Sequence, residues 1–238
     1  MALPDSWLTS PPRPSVQHTA LAAERQQVLT KPPGSLGQLE QLAISLAGLH
    51  GTDRPSVDPV RMVVFAGDHG VCAEGVSAFP QAVTAQMIAN FASGGAAISV
   101  MAEELGASLE VVNLGTVGEV PELPGVIDQI IAPSTANMAE SPAMSSRQVE
   151  SALSSGDEAA RRAANVGCRL FIGGDMGIGN TTSAAALACA LLGQQPTTLV
   201  GPGTGLNSEG VARKARVVEN ALQRHGPDRD PLMVLASL

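Results

Sequence analysis

Short apolar runs alternate with longer stretches of helical periodicity along most of the chain. The runs span residues 61–65, 108–114, 125–131, 169–172 and 197–200, and each has the length of a strand. The first is apolar throughout after Arg61, which is typical of a strand buried on both faces of a parallel sheet. The alternation predicts an α/β fold with a doubly wound, mainly parallel sheet. We expect helices over 82–91, 93–105, 147–166, 180–192 and 208–224.

The first 55 residues have a different pattern. Residues 1–18 are rich in Pro and Ser and predict an irregular arm. Residues 19–55 predict a small helical domain, with helices over 19–29 and 36–49 separated by Pro32 and Pro33 and with Ser35 as the second N-cap. Lys31, between these helices, is either a solvated loop cation or a contact to a substrate anion. The α/β domain is expected to occupy residues 56–238.

A glycine-dense turn follows the run 169–172. It contains Gly173, Gly174, Gly177 and Gly179 and leads into an alanine-rich helical stretch ending at Leu192. A strand, a glycine turn and a helix start together direct backbone N–H groups and a helix dipole at one anion. Thr181 or Thr182 is expected to cap this helix and to donate a hydroxyl to the same anion. The alternative is an ordinary tight turn; no Walker motif is present, so ATP hydrolysis is not implied.

A second glycine turn occupies residues 201–206. It follows the predicted strand 197–200 and precedes a helix that Asn207 or Ser208 would cap. One such turn is weak evidence for a ligand, but two turns that each link a strand to a helix are stronger evidence. The sequence therefore predicts a phosphate-binding site in which both turns take part.

Polar residues also follow the first apolar run. Asp68 and His69 lie just past its carboxyl end, where α/β sheets place ligands, although such pairs also cap helices and pin loops. Downstream, Phe79 and Met87 could line an apolar slot for a heterocycle, with Ser77 or Gln86 as a hydrogen-bonding group. Residues with this spacing are more often plain core. Residues 132–146 predict a surface loop or a functional lid.

Composition narrows the function classes. The net charge is −8, the chain has no Tyr and only one Trp, and a nucleic-acid binder would be basic or rich in stacking aromatics. Three cysteines without paired spacing argue against a metal site and indicate a reducing compartment. No apolar signal core and no run of membrane-spanning length is present, so we expect a soluble cytoplasmic protein.

Several motifs are long enough to be specific. TKPPGSLGQLE at 30–40, FAGDHGVCAEGVSAFPQAVTAQM at 65–87, NFASGGAAI at 90–98, GDMGIGNTT at 174–182 and GPGTGL at 201–206 stand in order along the chain. With them, the chain from residue 19 to residue 238 resembles the nicotinate-nucleotide–dimethylbenzimidazole phosphoribosyltransferases of cobalamin synthesis. The resemblance implies a Rossmann-like α/β domain with a small helical domain, assembled as a homodimer.

The resemblance also implies a reaction. Ribose 5-phosphate would be transferred from nicotinate mononucleotide to 5,6-dimethylbenzimidazole, giving α-ribazole 5′-phosphate and nicotinate. The leaving group is a cationic pyridinium, so neither a metal nor a cofactor is required. A carboxylate would accept the proton of the attacking base, and Asp175, at a position that is often Glu in the family, is the nearest candidate.

Site residues follow from the same motifs. Lys214 would be the counter-charge of the 5′-phosphate. The phosphate and ribose would be held by Gly174, Gly177, Ile178, Gly179, Asn180, Thr181, Gly203, Thr204, Gly205 and Lys214. The base pocket would be lined by Ser77, Phe79, Gln86, Met87, Asp68 and His69.

One departure from the family pattern bears on activity. The family's general-base glutamate lies beyond the position equivalent to Leu238, so the chain is expected to be a truncated form that binds its substrate weakly and turns over poorly. Two alternatives remain open: a non-catalytic phosphometabolite-binding module or fragment, and the same transfer to another base, such as adenine or a phenol.

Overall fold

The computed structural model describes residues 5–227 and 230–238. The described residues form two compact units, Asp5–Asp58 and a larger unit that begins at Pro59 and ends at Leu238. Each unit has its own internal packing and is described separately below.

The smaller unit contains two helices. After a 3-10 helix at Asp5–Leu8, α1 spans Val16–Val28 and α2 spans Gln38–His50. They pack where Gly48 of α2 meets α1, and the Gly48 carbonyl accepts a hydrogen bond from the Ser15 amide at 2.8 Å. A helix therefore begins at residue 16, inside the segment that was expected to be irregular.

Two further details of this unit concern Ser35 and Lys31. Ser35 does not cap α2; Gly37 is the N-cap, in a conformation with φ of +55° that favours glycine. Lys31 forms an ion pair with Glu40 across 2.6 Å, so its charge is already paired within the unit. That pairing, with the Lys31 hydrogen bond as its main contribution, also lowers the pKa of the Glu40 carboxyl.

Four parallel strands form the sheet of the larger unit. They are β1 (Val60–Gly67), β2 (Ser108–Gly115), β3 (Val126–Asp128) and β4 (Leu170–Met176), in the order β3-β2-β1-β4. β1 is central, and its Val64 lies in register with Val111 of β2 and Gly174 of β4. The predicted α/β class with a parallel sheet is confirmed.

Helices cover both faces of this sheet. They are α3 (Ala82–Ala92), α4 (Ala97–Glu104), α5 (Ser146–Asn165), α6 (Asn180–Leu192), α7 (Pro196–Leu199), α8 (Ser208–His225) and α9 (Pro231–Ser237). Because consecutive strand residues point to opposite faces, Val64 packs with Ile88 of α3 while Val63 packs with Ala159 of α5. A third apolar cluster joins α6, α8 and α9.

Two predictions about the strands near the glycine turns are wrong. Residues 197–200 are not a strand: α7 begins with Pro196 at its first turn, a position where the fixed φ of proline favours a helix start. Gly173 and Gly174 are not in a turn, because β4 continues through both glycines to Met176. The second glycine turn therefore follows one turn of helix instead of a strand.

The loop between β3 and α5 has few regular elements but is well packed. Its Thr135 amide donates to the carbonyl of Asp68, and Met138 is buried. Farther along, the Ala143 and Met144 amides donate to carbonyls of α9. None of the described helices combines the length and the apolarity needed to cross a membrane.

Candidate functional site

The sheet places its polar segments at the carboxyl ends of β1 and β4. These two strands are neighbours, with Ala66 in register with Met176, and the strand order reverses direction between them. In open α/β sheets ligands bind in the crevice at such a reversal. Asp68 and His69 follow β1, and the turn Gly177–Gly179 follows β4, so both predicted segments reach this crevice.

The turn after β4 is buried and held by side chains of neighbouring segments. The Ile178 amide donates to Thr84 Oγ1 at 3.1 Å, and the Ile178 carbonyl accepts from Cys72 Sγ at 2.9 Å. Gly179 is the N-cap of α6 with φ of +96°, a conformation available mainly to glycine. Thr181 and Thr182 do not cap α6, because the backbone leaves the helical conformation at Gly179.

The second turn lies next to the first. Lys214 of α8 is 1% exposed, and its Nζ donates to Thr181 Oγ1 at 2.7 Å and to the Gly201 carbonyl at 3.4 Å. A Cβ on Gly203 would lie 3.0 Å from Thr181 Oγ1 and 3.2 Å from Lys214 Nζ. The start of α6, the turn at 201–205 and one buried ammonium group therefore share a corner of the molecule.

Burial lowers the pKa of Lys214, because the charged ammonium loses hydration inside the protein. Its two hydrogen-bond partners are both neutral oxygens, and it has no carboxylate partner among the residues described. An ammonium has three donors, so one remains for another acceptor. The local chemistry suits an anion.

The residues expected to bind a heterocycle are only partly brought together. Ser77 Oγ lies 3.2 Å from Thr204 Oγ1 of the second turn, and it also accepts a hydrogen bond from the amide of the exposed Phe79. Gln86 is exposed on α3, whereas Met87 packs against the core cluster between α3 and the sheet. Ser77 thus lies beside the corner that contains Thr181 and Lys214, and Phe79 is linked to Ser77 through its amide.

Asp68 and His69 instead line a cavity of about 330 Å³. Asp68 is 3% exposed, and its carboxylate accepts from Thr84 Oγ1 at 2.6 Å and from the Val117 amide at 2.9 Å. Apolar side chains form most of the remaining wall, among them Phe65, Leu114, Ile131, Met144 and Leu187.

Burial favours the neutral form of His69 in this cavity. Burial lowers the pKa of its imidazole, and the negative charges of Asp68 and Asp175 oppose that effect only in part. Its Nδ1 lies 3.3 Å from Ser183 Oγ on α6. A neutral imidazole can accept a proton or a hydrogen bond, so His69 can act as a polar contact in an otherwise apolar pocket.

Asp175 lies on β4 at the same cavity, and the side-chain amide of Asn180 donates to its carboxylate. This contact places a carboxylate beside the start of α6. No group of three or more His, Cys, Asp or Glu side chains in the described parts of the chain is arranged to hold a metal ion.

Thr84 is the residue of this region that the sequence patterns did not single out. It is fully buried on α3, and it links Asp68 to the turn after β4. A signal for it does exist: Thr84, Ile88 and Phe91 have the spacing of one helical face, so the threonine stands alone among apolar core residues. A hydroxyl on such a face needs a buried partner.

Comparison with known proteins places the chain in a family. The profile of a family described as phosphoribosyltransferase matches residues 11–238. The nicotinate-nucleotide–dimethylbenzimidazole phosphoribosyltransferase of Pseudomonas aeruginosa (strain LESB58) is 60% identical over 218 residues, 91% of this chain and 62% of that protein. That of Ectopseudomonas mendocina (strain ymp) is 56% identical over 235 residues, 98% of this chain and 67% of that protein.

A solved structure agrees with these matches. The crystal structure of CobT from Thermus thermophilus has a TM-score of 0.87 and 49% identity, covering 93% of this chain and 66% of that one. The chain thus spans about 62% of the length of the Pseudomonas aeruginosa relative. From the matched profile, the relatives and the shared fold together, the chain belongs to the nicotinate-nucleotide–dimethylbenzimidazole phosphoribosyltransferase family.

Proposed function

We propose that this chain supplies the phosphate-binding site of an enzyme that transfers ribose 5-phosphate from nicotinate mononucleotide to 5,6-dimethylbenzimidazole. The products are α-ribazole 5′-phosphate and nicotinate, in the synthesis of the lower ligand of cobalamin. The observation that carries the proposal is the buried Lys214, whose hydrogen-bond partners are neutral oxygens at the two glycine turns.

The energetics of Lys214 support a phosphate ligand. An isolated charge in a protein interior is unfavourable unless it is paired. The remaining donor of the ammonium, the Thr181 hydroxyl and the N-terminus of α6 all lie at the same corner, where a phosphate dianion would be stabilised. The proposed phosphate and ribose site comprises Gly174, Gly177, Ile178, Gly179, Asn180, Thr181, Gly203, Thr204, Gly205 and Lys214.

The chemistry then follows from the bound substrate. A nitrogen of the benzimidazole attacks C1′ of the ribose, the C1′–N bond to nicotinate breaks, and its electron pair leaves on the pyridine nitrogen. The benzimidazole loses its N–H proton to a carboxylate. Asp175 is this chain's candidate for that carboxylate, oriented by the amide of Asn180.

Ser77 lies beside Thr204 and accepts a hydrogen bond from the Phe79 amide, which favours both residues as contacts to the incoming base. Gln86 and Met87 complete the base set that the family motif implies, and Asp68 and His69 contribute through the neighbouring cavity. The proposal further takes the enzyme to be a cytoplasmic homodimer with a Rossmann-like sheet, in which 19–55 is the small helical segment and 56–238 the catalytic domain.

A binding experiment tests the proposal. Titration calorimetry of the 238-residue chain with nicotinate mononucleotide should detect binding, and Lys214→Met should weaken it about 10- to 150-fold, the cost of about 1.5–3 kcal/mol for a charged hydrogen bond. Arg216→Met removes a cation from the exposed side of the same helix and serves as the matched control, with affinity near the wild-type value.

A second measurement addresses the reaction. Formation of α-ribazole 5′-phosphate from the same substrate and 5,6-dimethylbenzimidazole is followed by chromatography. Binding without product would show that Asp175 does not act as the base in this chain, and a wild-type chain that binds neither the mononucleotide nor inorganic phosphate would contradict the phosphate site itself.

A further inference from the structure

Three buried groups connect the segment after β1, helix α3 and the turn after β4. Thr84 Oγ1 donates to Asp68 Oδ1 at 2.6 Å and accepts from the Ile178 amide at 3.1 Å. Asp68 and Ile178 are each 3% exposed and Thr84 is fully buried, so these bonds are shielded from bulk solvent. We call Asp68, Thr84 and the Ile178 amide the turn relay.

The hydrogen bonds of the turn relay can have only one donor–acceptor order. A hydroxyl has a single proton, and a carboxylate can only accept, so the Thr84 proton goes to Asp68. The lone pairs of Thr84 then remain for the Ile178 N–H, which fixes the orientation of the peptide between Gly177 and Ile178. Because an ionised acceptor strengthens the bond from Thr84, the relay is stronger than a pair of neutral hydrogen bonds.

The peptide that the relay orients leads directly into the proposed phosphate site. Gly179 follows with φ of +96° and begins α6, and Thr181, two residues later, accepts the hydrogen bond from Lys214. Rotation of the peptide at Ile178 would shift Gly179 and with it the start of α6. The relay therefore controls the geometry of the phosphate site without touching the phosphate.

Asp68 also fixes the loop after β2. Its second carboxylate oxygen accepts from the Val117 amide at 2.9 Å, and its own amide donates to the Gly115 carbonyl at 3.1 Å. One carboxylate thus joins the segments that follow β1, β2 and β4. These bonds occupy both oxygens of Asp68, as expected of a residue that positions a site.

We propose that Asp68 and Thr84 are positioning residues that pre-form the phosphate-binding turn through the Ile178 amide. This inference rests on the proposed function, because the turn matters to activity only if it binds the substrate phosphate. It assigns to Asp68 a role distinct from contact with the base.

Substitutions at Thr84 test the relay. Thr84→Val has the same shape but removes both hydrogen bonds, and it should weaken the binding of nicotinate mononucleotide to the 238-residue chain about tenfold, the effect of one lost hydrogen bond of this kind. Thr84→Ser keeps the hydroxyl and should restore affinity to near the wild-type value. Rescue by serine separates positioning from a general effect on folding.

A control elsewhere in the core sharpens the test. Ser99 is buried and its hydroxyl donates to the Phe91 carbonyl at 3.0 Å, away from the turn. Ser99→Ala should lower stability without changing the affinity for the mononucleotide. If Thr84→Val binds as tightly as wild type while Lys214→Met does not, the relay proposal is wrong and the proposed phosphate site stands.

Amide hydrogen exchange provides a second readout, which is needed should Thr84→Val fail to fold. In the wild-type chain without ligand, the Ile178 amide should exchange as slowly as the amides of β4, because the relay already holds it. An Ile178 amide that exchanges rapidly until inorganic phosphate is added would overturn the proposal, since the turn would then be ordered by its ligand.

Discussion

The two glycine turns form one corner of the molecule but are built in opposite ways. The turn at 177–179 is buried beneath neighbouring segments, and the turn at 201–205 is largely exposed. A Cβ on Gly177 would overlap the carbonyl oxygen of Gly67 and approach the His69 ring to 3.1 Å. A Cβ on Gly201 or Gly205 would meet nothing within 4 Å.

The difference shows that glycine serves two purposes here. In the first turn it allows the backbone to pack closely against β1 and its loop, which makes this turn a rigid part of the core. In the second turn the glycine that matters is Gly203, because it leaves room beside Thr181 Oγ1 and Lys214 Nζ. The glycines of the first turn therefore serve close packing of the backbone, and Gly203 of the second keeps space free beside Lys214.

The largest expected effect is the different cost in stability of a glycine-to-alanine substitution in each turn. Gly177→Ala should destabilise the chain by about 3 kcal/mol or more, because a backbone oxygen cannot move aside for the new methyl group. Gly201→Ala, which meets open space, should change the free energy of unfolding by less than about 0.5 kcal/mol. Urea denaturation followed by circular dichroism measures both. Equal losses in the two variants would show that the turns are packed alike.

A smaller effect should distinguish the two turns by their influence on phosphate affinity. Gly203→Ala places a methyl group 3.2 Å from Lys214 Nζ and should weaken phosphate binding about tenfold, comparable with losing one hydrogen bond to the ligand. Gly193→Ala, at the C-cap of α6, carries a similar cost of about 1–2 kcal/mol for positive φ but lies in open space. Calorimetry with inorganic phosphate should show weaker binding for Gly203→Ala alone. A matching loss in Gly193→Ala would mean that backbone strain, and not the methyl group at the site, is responsible.

The smallest effect concerns pH. Burial lowers the pKa of His69, beside the first turn, below its usual 6.5, so the unfolded chain takes up this proton before the folded chain does. The contribution of His69 to the free energy of unfolding is therefore fully present above pH 6.5. It is lost as the pH falls from 6.5 toward the pKa of His69 in the folded state. His69→Gln should lose less stability than wild type between about pH 8 and about pH 5, as measured by urea denaturation at both values. The partial opposition of Asp68 and Asp175 keeps the difference small. Parallel pH profiles for the two proteins would show that His69 titrates alike in both states.

Elements with a strong pattern were predictable from sequence. The strands at 61–65 and 108–114 correspond to β1 and β2, and Asn207 caps α8 as expected, because apolar runs and capping side chains act over a few neighbouring residues. The structure of residues 197–200 was not predictable in this way, because their apolar ending resembles a strand whereas Pro196 starts a helix.

Some features of the candidate site were likewise predictable from sequence, and others were not. Glycine content, the polar residues after β1 and Lys214 are all visible in the sequence, and so is the threonine on the apolar face of α3. The contacts between these residues are not visible in the sequence. Thr84 and Ile178 meet across 94 positions of the chain, and Lys214 meets Thr181 across 33 positions.

Local patterns in this sequence were sufficient for the α/β class, the parallel sheet and the presence of two glycine turns. The arrangement of the strands decided three other features. It determined which amide each hydroxyl would bind and which turn would pack against β1. It also determined which lysine would be buried without a carboxylate partner among the described residues. The physical reason is that helix and strand preferences act between close neighbours, whereas burial and hydrogen-bond partners are set when distant segments meet at one edge of the sheet.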